Sequence, residues 1–491
     1  MTKKAVVIGA GFAGLSSACY LAKLGYKVTV FEKNQEIGGR ARKLHREGFT
    51  FDLGPSWYWM PDVFEKAFND LGRSTSDFYK LERLSPSYKV IFEDNSQLNV
   101  PDNLDAFYEL FESIEVGSSK RLKKFLKDAK YKYEVGINEM VQKPGLSILE
   151  FMNPKLLIDA FRLNVFQDFH SYIRKYFKNP KLLKLLEFPI LFLGALPKNT
   201  PALYSLMNYA DIVLGTWYPI GGMSKVVDAF VEIANDLGVE FKVDHSVNSF
   251  NTEDSKIKSI NTNHGTYEAD FVVGSADYEH LDQKVTEEKL RSYKPKYWKS
   301  RKLAPSALIY YIAVDKKLPN LEHHNLFFDE DFERHSNEIY TSNEWPKAPL
   351  LYVSVTSKTD NTVAPEGKEN IVVLIPVSTE LEDSEKIREK YFNYAIDKLE
   401  KHSGTQVREH VLFKESYANS NFKTDYNSFK GNAYGLANTL DQTAILKPRM
   451  KSKKIKNLFF TGQLTVPGPG VPPSIISGEV VSKVIKKSIK L

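Results

Sequence analysis

Cysteine is almost missing from this sequence: Cys19 is the only one in 491 residues. That excludes an internal disulfide framework and fits a reducing compartment. Long apolar runs are missing too. The best of them, Leu185 to Leu196, is interrupted by Glu187 and Pro189 and falls short of the roughly 20 residues a membrane-spanning helix needs. The chain is therefore expected to be soluble or to lie on a membrane surface. A large net charge is absent as well. Between Lys120 and Lys132 seven Lys or Arg stand against one acid, Asp128, an excess equal to the +6 of the whole chain. The remainder is nearly balanced, which disfavours a general nucleic-acid binder. Neither a Gly-x-Ser-x-Gly elbow nor a Walker loop occurs, and there is no internal repeat. His323-His324 with Asp329 and Asp331 comes nearest to a metal cluster, but adjacent histidines point to opposite sides of an extended chain, so no metal is expected.

Against these absences, the amino terminus is rich in signal. Ala5-Val6-Val7-Ile8 reads as a strand, Gly9-Ala10-Gly11-Phe12-Ala13-Gly14 as a tight turn opening an amphipathic helix up to Gly25, and Val28-Thr29-Val30-Phe31 as a second strand ending at Glu32. This is one βαβ unit with a dinucleotide fingerprint. Gly9 permits the turn, Gly11 lets the backbone approach a pyrophosphate, and Gly14 lets helix and strand pack closely. The glycines and the complete βαβ unit argue against reading Lys3-Lys4 and the following apolar stretch as a secretory leader. Glu32 stands where a carboxylate accepts hydrogen bonds from a ribose diol and repels a 2′-phosphate. Gly38-Gly39-Arg40 follows, and Glu-x5-Gly-Gly-Arg resembles the extended fingerprint of FAD-dependent amine-oxidase-like flavoproteins, with Arg40 placed to neutralise the pyrophosphate.

At this length roughly two or three domains are expected. Gly48 to Pro55 alternates and then turns, as a strand entering a tight loop does, and Ser56-Trp57-Tyr58-Trp59-Met60-Pro61 reads as an aromatic turn suited equally to an apolar pocket or to ordinary core. Tyr88–Phe92 and Leu98–Val100 form a hairpin. From Lys120 the residues Leu122, Phe125, Leu126, Ala129 and Tyr133 recur at helical spacing with lysines on the other face, as in a solvated helix packed on the core or a membrane-surface helix. Phe151 to Gly194 combines apolar residues with basic rims, the composition of interfacial helices. Ser224 to Leu237 reads as a helix, Val239 to Val243 as a strand, and Tyr267 to Gly274 as a strand returning to the first domain. Alternation at Ala307–Val314, Leu350–Thr356 and Ile371–Pro376 predicts a mixed or antiparallel sheet. Glu385 to Ser403 is one helix, Asn457 to Gly462 a strand, and a Pro/Gly-rich loop leads into a final helix through about Ile485. That helix would aim its N–H groups at a flavin ring.

Taken together, Gly9 to Gly14, Glu32, Gly38-Gly39-Arg40, Phe51-Asp52-Leu53-Gly54-Pro55 with Met60-Pro61, Gly221-Gly222-Met223, Ala269 to Val273 and Phe460-Thr461-Gly462 with Pro467-Gly468-Pro469-Gly470-Val471-Pro472 resemble the bacterial carotenoid desaturases of the phytoene desaturase (CrtI-type) family. In overall similarity the chain looks most like those of flavobacteria. The resemblance implies an α/β fold: a discontinuous Rossmann-type FAD-binding domain (1–75, 216–290 and 425–491), a mixed-sheet substrate domain (76–118 and 291–424) and a helical membrane-associating region (119–215). It implies non-covalent FAD held by Gly9, Ala10, Gly11, Phe12, Ala13, Gly14, Glu32, Lys33, Gly39, Arg40, Val247, Gly462 and Val471. The implied reaction is hydride transfer from an allylic carbon, most simply of phytoene, to flavin N5, with reoxidation by a quinone or oxygen and a peripheral location on the cytoplasmic face of a membrane. Glu150, ahead of a helix expected near Asn153, is the candidate proton acceptor, with a helix-capping or surface carboxylate as the alternative. A later cyclic or hydroxylated carotenoid, carotene isomerisation and a non-enzymatic prenyl-lipid escort are the competing readings.

Overall fold

The computed structural model describes residues 2–151, 162–191 and 194–489. Its organising layer is a five-stranded, wholly parallel sheet in the order Leu458–Phe460, Phe271–Gly274, Lys4–Ile8, Lys27–Phe31, Glu240–Lys242. Parallel strands buried on both faces need near-continuous apolar residues, and Val6, Val7, Val30, Val272 and Phe459 are all buried. The helix Phe12–Lys23 crosses between the strands Lys4–Ile8 and Lys27–Phe31 and packs on the last helix, Val471–Ser488. The two helices approach closely because Gly478 faces Ser16 and Ser17, where a Cβ would come within 2.6 Å of Ser17 N. Ser16 Oγ locks the contact by donating to the Ile475 carbonyl at 2.7 Å. Thus the two ends of the chain, one carrying the glycine-rich turn and the other the Pro/Gly loop, meet on one sheet. Cys19 is buried in this layer and its thiol lies 3.6 Å from the Phe230 carbonyl oxygen.

A second sheet has seven strands: Val411–Tyr417, Ser306–Val314, Glu369–Val377, Leu351–Ser354, His324–Phe328, Tyr88–Phe92 and Gln97–Val100. It is mixed, because His324–Phe328 and Tyr88–Phe92 run parallel while the other pairs are antiparallel. The helix Glu385–Ser403 buries Tyr391, Phe392, Ile396 and Leu399 in the core on one side of this sheet.

Two expectations need correction. Tyr267 to Gly274 is not one strand. Tyr267 pairs with Ile260 in a separate three-stranded antiparallel sheet, and only Phe271–Gly274 joins the parallel sheet. The chain changes sheets between them, where the Ala269 N–H donates to the Lys258 carbonyl and the Asp270 N–H to the Lys4 carbonyl. The second correction concerns the basic helix, Ser118–Val135. Its expected apolar stripe is buried, but Lys132 is buried with it, 2.8 Å from Asp128 and 4.0 Å over the Tyr172 ring. An i,i+4 carboxylate and a π-face offset part of the desolvation cost that keeps most lysines outside. Glu187, which interrupts the apolar run inside the helix Pro180–Leu191, is likewise held, by Arg174 at 2.7 Å and His170 at 3.0 Å. No helix among the described residues is long and apolar enough to cross a membrane. The helix expected from Asn153 lies outside the described residues.

Candidate cofactor and substrate cavity

Open α/β sheets bind ligands beyond the carboxyl ends of their strands, and a cavity of about 360 Å³ lies there. Gly9 ends the first strand at φ +100°, a left-handed conformation that costs glycine little. The helix then starts at Phe12 with Gly11 as its N-cap and no side chain capping the first turn, so its orphan N–H groups are left for a ligand. Space explains the remaining glycines. A Cβ on Gly14 would sit 2.0 Å from the Gly9 carbonyl oxygen, and one on Gly39, itself at φ +56°, would meet Gly11 Cα at 3.1 Å. The two glycine loops therefore touch backbone to backbone, with Gly9, Gly11, Phe12, Ala13, Gly39 and Arg40 on the cavity wall.

Glu32 is buried on the same wall. One carboxylate oxygen accepts from the Ala10 N–H at 2.9 Å and the other from the Asn34 backbone and side-chain N–H groups at 3.0 Å, which fixes its rotamer beside the cavity. Lys33 reaches the Thr424 carbonyl, and burial lowers its pKa. Val247 lines the wall where its strand begins. Arg40 makes long 3.3 Å contacts through Nη2 to Ser428 Oγ and the Asn432 carbonyl and a 3.0 Å one to the Gln463 side-chain oxygen, and lies 4.8 Å over the Tyr426 ring, while its Nε is buried without a partner. No carboxylate among the described residues stands within ion-pair distance of Arg40, and burial lowers its pKa. A glycine cradle, an open helix N-terminus and an under-satisfied guanidinium together fit the pyrophosphate of FAD.

At the carboxyl end of the chain, Gly462 (φ +99°) donates its N–H to Ser477 Oγ at 3.0 Å, and Gly470 to Ser474 bring the uncapped start of the last helix to the wall. Gly462 and Val471 both line the cavity. Two residues here escaped sequence reasoning. Asp277 accepts the backbone N–H groups of Phe429 and His280 at 3.1 and 3.2 Å, and burial pushes its carboxyl up to about 6. The signal was its place just past a parallel strand, where the sheet binds ligands. Lys447 lies under the Pro/Gly loop, its ammonium donating to Asn438 Oδ1 at 2.7 Å and the Pro467 carbonyl at 3.1 Å, with burial pushing its pKa down to about 7. No local pattern marks it.

The opposite end of the cavity is aromatic. Trp57, Trp59 and Met60 line it, so the aromatic turn is pocket wall and core together. Trp57 stacks on His324 with ring centroids 4.0 Å apart, and Tyr352 Oη meets Ser56 Oγ at 2.7 Å. Tyr352, Leu374 and Tyr434 also wall a second, apolar cavity reaching Phe188, Phe328 and Phe332. The two cavities thus abut across three side chains, as a redox cofactor beside a long apolar substrate requires.

Glu150 lies elsewhere. Its carboxylate accepts from the N–H groups of Gly145, Leu146 and Ser147 at 2.9, 3.0 and 3.2 Å and lines neither cavity. His323 bonds Thr359 at 2.8 Å, and Asp329 pairs with Lys398 at 2.6 Å and His402 at 3.0 Å. Among the described residues no group of three or more His, Cys, Asp or Glu is arranged to hold a metal ion.

Residues 12–485 match the family model of flavin-containing amine oxidoreductases. The chain is 37% identical over 485 residues to a carotenoid 3,4-desaturase of Haloarcula japonica, covering 98% of each. It is 30% identical to a zeta-carotene-forming phytoene desaturase of Myxococcus xanthus, covering 98% of this chain and 93% of that protein. To a phytoene desaturase of Fusarium fujikuroi it is 31% identical, covering 99% and 89%. Among solved structures, putrescine oxidase superposes with a TM-score of 0.65 at 13% identity over 99% of both chains. An oxidoreductase from Methanosarcina mazei superposes with 0.64 at 17% over 98% and 100%; both likenesses concern the fold. The chain belongs to the flavin-containing amine oxidoreductase family, as an FAD enzyme whose sequence relatives are carotenoid desaturases.

Proposed function

We propose that this protein desaturates a carotenoid, phytoene being the simplest substrate. The observation that carries the reading is the contact of the glycine-lined, Arg40-bearing end of the cavity with an aromatic end that opens toward a second apolar cavity. Bound FAD supplies a two-electron hydride acceptor. The protein's share is positioning and exclusion of water. The glycine loops and Arg40 hold the pyrophosphate, Glu32 orients the ribose, and Val247 packs beside the adenine. Gly462 and the start of the last helix face the flavin, and Trp57, Trp59 and Met60 hold a polyene beside it. Segments 1–75, 216–290 and 425–491 serve the cofactor, and 76–118 and 291–424 the substrate. Segment 119–215 meets the membrane from the cytoplasmic side. The exposed Leu149 and Phe166, 72% and 81% accessible, support that docking. Glu150 organises the loop Gly145–Ser147 within that segment, and a quinone or oxygen reoxidises the flavin.

The test is incubation of the FAD-loaded protein with phytoene in liposomes, followed by visible spectra and product masses. Polyene bands with losses of hydrogen pairs support the reading. Unchanged mass with altered geometry points instead to isomerisation, and a protein that retains no flavin points to an escort. The 37% identity to a protein named carotenoid 3,4-desaturase favours a second substrate class, later cyclic or hydroxylated carotenoids. Desaturation of those alone would exclude phytoene.

A further inference from the structure

Removing two hydrogens as hydride and proton requires a proton acceptor, and the acids on the wall of the main cavity are misplaced for it. Glu32 is bonded to Ala10 in the glycine turn, Asp277 sits just past the strand Phe271–Gly274, and the Asp425 carboxylate pairs with Arg42 at 2.7 Å. All three belong to the nucleotide end. The aromatic end holds a different set. Tyr352 lines both cavities, and its hydroxyl oxygen is 2.7 Å from Ser56 Oγ and 2.8 Å from His324 Nδ1. His324 is fully buried, clamped against Trp57, and its Nε2 has no partner.

We propose that Tyr352 is the proton acceptor of the desaturation and that His324 is the positioning residue behind it, taking up the tyrosine's own proton at Nδ1. The proposal rests on the carotenoid-desaturase reading. One substrate C–H bond breaks with its hydrogen and electron pair leaving to the FAD oxidant. The C–H bond on the neighbouring carbon breaks toward Tyr352 Oη, and its electron pair becomes the new π bond. An O–H bond forms at Tyr352 as the original one breaks, and an N–H bond forms at His324 Nδ1. The proton later returns from His324 through Tyr352 to Ser56, whose own hydroxyl proton leaves to solvent from the cavity wall as it takes this one, restoring all three groups.

A neutral relay suits this chemistry. Loss of hydride leaves cationic character spread over a polyene, which acidifies the adjacent C–H bond, so a weak base suffices. A fixed carboxylate in an apolar tunnel would itself cost desolvation energy. Burial and the neighbouring His323, with ring centroids 4.4 Å apart, disfavour the imidazolium, so His324 rests neutral with its lone pair available and holds the proton of the strongly acidified C–H bond only transiently. The tautomer that accepts from Tyr352 carries its hydrogen on Nε2.

The experiment compares wild type with Tyr352→Phe, His324→Phe, which keeps the aromatic stack, and His324→Asn, which keeps a hydrogen-bond acceptor for Tyr352 but takes up no proton. Anaerobic flavin bleaching by phytoene in liposomes should slow roughly 100-fold or more in all three, the lower range of general-base effects. FAD affinity and the oxidised flavin spectrum should stay unchanged. With phytoene deuterated at the proton-losing carbon, the isotope effect should rise in each variant. Wild-type rates in His324→Asn, or an isotope effect that does not move, would overturn the relay. An independent readout uses the apoprotein labelled with ¹⁵N-histidine: the His324 Nδ1 resonance should be that of a hydrogen-bonded acceptor and should shift in Tyr352→Phe. An Nδ1 signal indifferent to Tyr352 overturns the proposal. Absent bleaching in wild type with the expected Nδ1 shift would instead overturn the substrate reading and leave the relay standing.

Discussion

Replacing Arg40 with methionine should separate cofactor binding from stability. The guanidinium is under-used by the protein itself: only Nη2 is engaged, with neutral acceptors on Ser428 and Asn432 at 3.3 Å and on Gln463 at 3.0 Å, its Nε has no partner, and no described carboxylate pairs with it. Hydrogen bonds of that length contribute at most about 1 kcal/mol in net terms, and losing them is offset by no longer desolvating a charge. The apoprotein's urea-unfolding free energy should therefore change by less than about 1 kcal/mol. With FAD the sign differs. A charge-assisted contact to a phosphate contributes about 1.5–3 kcal/mol, so the Kd should weaken by about 10- to 100-fold. At FAD a hundredfold above the wild-type Kd, ligand binding adds about 2.7 kcal/mol to stability; a 30-fold weaker Kd would leave about 0.9 kcal/mol. Flavin fluorescence titration gives the Kd, and unfolding with and without FAD gives the linkage. An unchanged Kd, or an apoprotein that loses several kcal/mol, would refute the assignment of Arg40 to the pyrophosphate.

Gly14→Ala should be severe, because its Cβ falls 2.0 Å from the Gly9 carbonyl oxygen. A stability loss of about 3 kcal/mol or more, seen by thermal circular dichroism, should accompany loss of bound flavin. Asp211 is buried, accepts from Tyr88 Oη at 2.8 Å, and burial pushes its carboxyl up to about 7. A raised folded-state pKa means the fold holds a proton that the unfolded chain releases. That contribution is present below about pH 4 and lost as pH rises through about 7. Asp211→Asn should flatten the fall in stability over this window, measured by urea unfolding at several pH values. For the membrane reading, Leu149→Ser/Phe166→Ser should reduce co-flotation with anionic liposomes while leaving the oxidised flavin spectrum intact. Undiminished flotation would move the docking surface elsewhere.

Much of the nucleotide site is legible because its physics is local. A left-handed turn at Gly9, a close contact at Gly14 and an acid ending the second strand are requirements on neighbouring residues, so they leave a mark at fixed spacing. The helix Glu385–Ser403 and the hairpin at Tyr88 are legible for the same reason, through periodicity and turn chemistry. Lys132, Asp277 and Lys447 were not legible. Each reads as an ordinary surface or loop residue until a distant element buries it, and burial alone separates a solvated lysine from one pushed down to about 7. The break between Glu268 and Phe271 was hidden because alternation continues smoothly across the change of sheets.

By itself, then, the amino-acid sequence determined the βαβ cofactor unit, the strands of a second sheet and the family, since these rest on backbone conformations and periodicities that neighbouring residues impose, while the parallel pairing that makes that sheet mixed came from the fold. Only the tertiary structure decided what faces the substrate. Ser56, His324 and Tyr352 lie hundreds of residues apart along the chain at their extremes. They meet because the aromatic turn folds against the interior of the seven-stranded sheet, where His324–Phe328 pairs with Leu351–Ser354. A contact between side chains from separate elements depends on how whole layers pack, and no spacing in the sequence records that.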